Sequence, residues 1–142
     1  MPAVVGAVLA GIVAALARLV GFDRDRAFYP TVLMVVASYY VLFAVMGGSP
    51  RAVMAESVVM AGFVVLAVVG FKGTLWVVVG GLAAHGVFDA VHAHAIANAG
   101  VPPWWPAFCL TYDVGAAAVL ALLSGRLRFR AASAGGARLR AT

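Results

Sequence analysis

The histidines of this sequence fall in one segment and share it with an aspartate. All three lie between residues 81 and 94, in the order His85, Asp89, His92 and His94. At about 100° per residue on a helix, the first three of these side chains lie on one stripe, within roughly 60° of one another. Imidazole nitrogens and carboxylate oxygens are ligands of divalent metals such as zinc and iron. The spacing therefore predicts a metal site formed by His85, Asp89 and His92.

Two more carboxylates, Glu56 and Asp113, lie in neighbouring apolar segments. An ionised carboxylate facing lipid is costly, so both, like Asp89, are predicted to face the protein interior. A rise of about 1.5 Å per residue places Glu56 about 6–8 Å, Asp89 about 10–12 Å and Asp113 about 13 Å from the outer ends of their helices. Because these depths match, Glu56 and Asp113 are predicted as the catalytic residues, Glu56 as a general base and Asp113 in support of the metal.

Other polar side chains near this level have lesser predicted roles. At least one hydroxyl among Ser38, Tyr39 and Tyr40 is expected to hydrogen-bond the cluster. Cys109, the single cysteine, lies among apolar residues and is interpreted as a small hydrophobic side chain. His94 points away from the stripe and is expected to be solvated at the end of its helix.

The segments that carry these residues are those of a membrane protein. Of the 142 residues, 65% are hydrophobic and only 11% are charged, and the mean hydropathy is +1.06. Soluble domains have about 45–50% apolar and about 25% charged residues, so this composition excludes a soluble globular domain. The composition also excludes a disordered chain, because disordered chains have too few apolar residues to form a core and this sequence has many.

Five apolar runs are separated by short breaks that contain glycine, proline or charged residues. The runs lack the alternation of barrel strands, and only helices and closed barrels satisfy every backbone group in lipid, so they predict five transmembrane helices. We expect a compact bundle over residues 1–125, followed by a basic, disordered cytoplasmic tail over residues 126–142. The five predicted spans are Ala3–Val20, Pro30–Met46, Ala52–Gly70, Thr74–Ile96 and Trp104–Ser124.

Basic residues predict the orientation of the spans. Five helices place nine of the ten Lys and Arg residues on one side, with Arg51 alone on the other. The positive-inside rule then predicts an N-terminus outside and a C-terminus in the cytoplasm. The expected location of the spans is the inner membrane of the cell. The basic tail is interpreted as a topology determinant, so membrane lipids are the expected partners, a homo-oligomer is compatible with the sequence, and no nucleic acid is expected.

Several motifs together resemble those of a group of small bacterial multi-pass membrane proteins. They are RAFYPTV (26–32), ASYYVLFA (37–44), HGVFDAVH (85–92) and PPWWPAFCLTYD (102–113). The resemblance implies the fold and the membrane location, and it implies no activity. A haem is not expected, because all three histidines lie on one helix and axial ligands come from opposite sides of the ring.

Three functions fit these residues. The first is a metal-dependent membrane enzyme, a hydrolase or oxidoreductase acting on a lipid-soluble substrate. The second is a small oligomeric transporter or channel component in which Glu56, Asp89 and Asp113 relay protons or cations. The third is a structural membrane subunit whose polar cluster only fixes helix packing. Ligand-type residues on one stripe favour the metal enzyme.

Overall fold

The computed structural model describes residues 1–139, with side chains described up to Arg126, and within that range it contains five long helices and no strand. Every helix is long and apolar enough to cross a membrane, the last of them over Trp105–Arg126. The predicted all-helical fold with five helices able to span a membrane is confirmed, and each predicted span begins and ends within two residues of the corresponding apolar helix. The helices are α1 (Pro2–Val20), α2 (Phe28–Met46), α3 (Pro50–Lys72), α4 (Leu75–Ala95) and α5 (Trp105–Leu139).

Local chemistry explains where the helices begin and end. The hydroxyl of Ser49 accepts a hydrogen bond from the amide of Ala52 at 3.3 Å, at the start of α3. The hydroxyl of Thr74 accepts one from the amide of Trp76 at 3.4 Å, at the start of α4. Both residues thus satisfy amides that lack an intrahelical partner. Gly21 ends α1 with φ +92°, a left-handed conformation that favours glycine.

Helices α2 to α5 pack in chain order around one core. Contacts join α2 to α3, α3 to α4 and α4 to α5, and α2 closes the group through smaller contacts with α4 and α5. Leu33, Val78, Leu82 and Leu120 form the fully buried centre, each at most 2% exposed. The sequential packing on which the predicted site depends is therefore present.

Helix α1 packs against α5, and among the described residues it makes no contact with α2, although only a short turn separates the two. That turn includes a single 3-10 helix at Phe22–Arg24. In the described part of the bundle, α1 and α2 are the one pair of long helices consecutive in the chain that do not pack against each other.

Helix α5 continues to Leu139, past the boundary that the sequence analysis drew at residue 125. Residues 140–142 lie outside the described part of the chain. The expected disorder of the basic tail stays a prediction.

Candidate metal centre

Three helices direct their ionisable side chains into the bundle. The side chains of Glu56 on α3, His85, Asp89 and His92 on α4, and Asp113 on α5 are each no more than 2% exposed. The predicted inward orientation of the three carboxylates is confirmed. These side chains fall into two groups that occupy different positions along α4.

The first group, here called the four-residue cluster, consists of His85, Asp89, Cys109 and Asp113. Each offers one ligand atom, and the four atoms lie within 4.8 Å of one another. His85 Nδ1 lies 2.6 Å from Asp113 Oδ2 and 3.6 Å from Asp89 Oδ2. The Cys109 thiol donates to Asp113 Oδ2 at 3.7 Å. A buried imidazole, a thiol and two carboxylates therefore converge on one small volume between α4 and α5.

Two of the three separations given above suit a tetrahedral metal site, and the four ligand atoms, which are spread over up to 4.8 Å, would have to shift to surround an ion. Around an ion with bonds of about 2.0–2.3 Å, ligand atoms are separated by about 3.3–3.8 Å. The His85–Asp89 and Cys109–Asp113 separations of 3.6 and 3.7 Å fall in that range. The His85–Asp113 separation of 2.6 Å is a hydrogen bond, which would lengthen by about 0.7 Å around an ion. The donor set could therefore hold a metal ion.

Charge and unmet hydrogen bonding also favour a cation at this cluster. Asp89 and Asp113 share a single imidazole, so a protonated His85 can balance the charge of only one of these carboxylates. Asp89 Oδ2 and Asp113 Oδ1 are buried and have no hydrogen-bond partner within the described part of the protein. Buried charges are normally paired or bound to metals, and a divalent ion would meet both deficits.

The second group is the Glu56–His92 pair. His92 Nε2 lies 2.7 Å from Glu56 Oε1, and the Asn98 amide donates to the same oxygen at 2.9 Å. Glu56 Oε2 is buried and has no partner among the described residues. Asn98 comes from the loop between α4 and α5 and also donates to the carbonyl of Tyr40 at 3.1 Å.

The structure thus separates His92 from the ligand set predicted for it. His85 and Asp89 lie together as the spacing predicts, but the imidazole of His92 is held by Glu56 of α3, and Asp113 and Cys109 of α5 complete the cluster instead. A row of three residues spans about 10 Å of helix axis, too far for one ion to reach comfortably. Neighbouring helices supply closer ligands.

Tyr40 joins the two groups. Its hydroxyl donates to Asp89 Oδ1 at 2.7 Å, and its ring stacks on that of His92 with centroids 4.0 Å apart and planes 17° apart. The expectation that a hydroxyl of this α2 segment bonds the cluster is confirmed for Tyr40. Ser38 instead bonds the carbonyl of Val35. His94 is exposed, as expected.

Two participants were missed by the sequence analysis. Cys109 lies four residues before Asp113, so the two share a face of α5 at a spacing that was visible in the sequence. Asn98 lies in a loop, and no periodicity connects a loop side chain to a helix face. Its role depends on how the loop folds back over α2.

The fold and the site together define an all-helical protein with five helices able to span a membrane and a buried His/Asp/Cys cluster able to hold a metal ion. No protein-family model, curated protein or solved structure matches the chain.

Proposed function

We propose that this protein is a metal-dependent membrane enzyme that acts on a lipid-soluble substrate. One observation carries the proposal: four ligand-type atoms from α4 and α5 converge within 4.8 Å in the apolar interior. Intramembrane ionisable groups are expensive and usually functional. This cluster gathers three different ligand chemistries, which a packing role alone does not require.

In this proposal His85, Asp89, Cys109 and Asp113 hold a divalent ion such as zinc or iron. A bound ion would supply a Lewis acid, and beside these four ligands it would take a water of lowered pKa only as a fifth ligand. The Tyr40 hydroxyl engages Asp89 Oδ1 and so leaves Oδ2 directed at the cluster. The Glu56–His92 pair is the candidate proton-transfer pair, because Oε1 of Glu56 is fixed by two donors while Oε2 is left without a partner.

The proposed orientation follows from charge. With five spans, nine basic residues lie on the side of the C-terminus and Arg51 alone lies on the other. The positive-inside rule supports a cytoplasmic C-terminus and an external N-terminus. The resemblance to small bacterial membrane proteins supports insertion in a bacterial inner membrane. The Glu56–His92 pair then lies in the external half of the bundle, and membrane lipids surround it, with a homo-oligomer compatible with this arrangement.

Elemental analysis of the detergent-purified protein tests the metal site. The wild type is compared with Asp113→Asn and Cys109→Ser, which remove a ligand with little change in size, and with His85→Ala. We expect about one metal ion per chain in the wild type and at least a fivefold loss in each variant. His94→Ala, a histidine of the same helix outside the cluster, is the matched control and should retain the metal.

Size-exclusion profiles and thermal unfolding of each variant show whether it is folded. Folded Asp113→Asn and Cys109→Ser proteins with wild-type metal content would refute the ligand assignment. A folded wild type that stays free of metal after supplementation with zinc and iron would refute the enzyme proposal and favour the structural interpretation.

The transport alternative needs a polar path across the bundle, and the packing below the cluster does not favour one. Further from the Glu56–His92 pair along α4 and α5, the buried side chains are apolar over about two turns. They are Val78, Leu82, Ala116, Ala117 and Leu120. The arrangement therefore supports a localised site over a path through the bundle.

A further inference from the structure

A cleft of about 640 Å³ lies between α1, α2 and α5. It exists because α1 and α2 pack on α5 without contacting each other, so α5 forms its floor. The side chains that line it are mostly apolar and come from all three helices. They include Leu9, Val13, Val32, Val35, Phe108 and Tyr112. The cleft is therefore open to the lipid phase from the side.

The size of the cleft matches one hydrocarbon chain. On α2 its lining runs from Phe28 to Tyr39, a length of about 16 Å at the helical rise. Half of the hydrocarbon core of a bilayer is about 15 Å thick. A volume of 640 Å³ is within the range of about 300–1,000 Å³ typical of small-molecule sites. A hydrocarbon chain of this length thus fits the cleft.

The two ends of the cleft differ in chemistry. At one end lie Tyr39 and Trp105, with ring centroids 4.9 Å apart, the residue types that mark membrane interfaces. The indole N–H of Trp105 is buried and has no acceptor within the described residues. At the other end lies Asp25, the one charged residue of the lining. Asp25 lies between Arg24 and Arg26 in the sequence, so its charge does not decide which end takes an anion, whereas the buried indole donor at the other end needs an acceptor oxygen.

Cys109 belongs both to this lining and to the four-residue cluster. It lies four residues after Trp105 on α5, about 6 Å along the helix. A chain in the cleft would therefore pass the cluster about one helical turn from its polar end. The rest of the chain would extend past Tyr112 toward Phe28.

We infer that the cleft binds a single long hydrocarbon chain of a membrane lipid, with the lipid's polar end at Trp105 and the group nearest that end beside Cys109. This inference rests on the proposed function, which it deepens by naming the substrate class. Such a substrate carries its reactive group within a few bonds of the polar end, and the distal chain serves for binding alone.

Photocrosslinking with palmitic acid tests the inference. Two probes carry a diazirine, one near the carboxyl end and one near the methyl end, and crosslinked peptides of the detergent-purified protein are mapped by mass spectrometry. The carboxyl-end probe should label α5 between residues 105 and 112, and the methyl-end probe should label residues 13–22 and 28–32. Equal labelling of all five helices would overturn the inference, and the reverse order would overturn the assigned orientation.

Cleft-filling variants supply the control. Val35→Trp and Leu9→Trp fill the cleft from opposite walls and should lower labelling at least fivefold. Val65→Trp makes the same change as Val35→Trp at an exposed position of α3 outside the lining and should label like the wild type. Labelling that is insensitive to both cleft variants, or equally sensitive to all three, would refute the site.

The two proposals fail separately, because crosslinking requires no metal. If the labelling follows the expected order in a protein that binds no metal, the lipid site is supported and the enzyme proposal is refuted. If the protein binds metal but the labelling shows no order along the cleft, the metal centre is supported and the cleft is refuted as its substrate site.

Discussion

The hydrogen bond between Tyr40 and Asp89 should contribute measurably to stability. The Tyr40 hydroxyl donates to Asp89 Oδ1 at 2.7 Å, and both residues are 1% exposed. Tyr40→Phe removes this donor and keeps the ring that stacks on His92. Asp89 Oδ2 already lacks a hydrogen-bond partner, so the variant leaves both oxygens of a buried carboxylate unmet.

The expected magnitude follows from the kind of acceptor. Hydrogen bonds between helices in membrane proteins average about 0.6 kcal/mol and reach about 1.7 kcal/mol in double-mutant cycles. Hydrogen bonds to charged groups contribute about 1.5–3 kcal/mol. Because Tyr40 donates to a fully buried carboxylate at short distance, we expect a coupling energy of at least about 1.5 kcal/mol with Asp89.

The assay is a double-mutant cycle on the free energy of unfolding in mixed micelles of a mild detergent and sodium dodecyl sulfate. It compares the wild type, Tyr40→Phe, Asp89→Ala and the double variant, which isolates the interaction between the two positions. Tyr39→Phe is the control, because that ring contacts Trp105 instead of the cluster. A coupling energy at or below about 0.6 kcal/mol, the average for these bonds in membranes, would refute the reasoning.

The remaining predictions concern packing and topology. A Cβ at Gly6 would overlap the carbonyl oxygen of Phe108, whereas one at Gly11 meets nothing within 4 Å. We therefore expect Gly6→Ala to lower the free energy of unfolding by about 1–3 kcal/mol. Gly11→Ala should leave it unchanged or raise it by up to about 1 kcal/mol. Equal effects of the two substitutions would contradict this packing of α1 on α5. For topology, Ala99→Cys should react with an impermeant maleimide on intact cells and Lys72→Cys only after permeabilisation, and the opposite pattern would reverse the proposed orientation.

Several features of this protein could be predicted from the sequence because they depend only on nearby residues or on whether a group faces lipid or protein. Helix existence follows from runs of apolar residues and the need to satisfy the backbone in lipid, and helix ends follow from residues such as Ser49 and Thr74. The inward orientation of Glu56, Asp89 and Asp113 follows from the cost of placing charge in lipid. None of these inferences requires knowledge of which helices are neighbours.

Only the tertiary structure decided which side chains meet. The stripe on α4 places His85, Asp89 and His92 on one face, but the neighbours on α3 and α5 divide that face, so that Glu56 holds His92 while Cys109 and Asp113 join His85. The gap between α1 and α2, and hence the cleft beside α5, was likewise invisible in the sequence. The rotation of each helix and the choice of its neighbours depend on many weak packing contacts over whole helix surfaces. Hydropathy indicates how apolar a helix surface is, but it does not indicate which other helix packs against that surface.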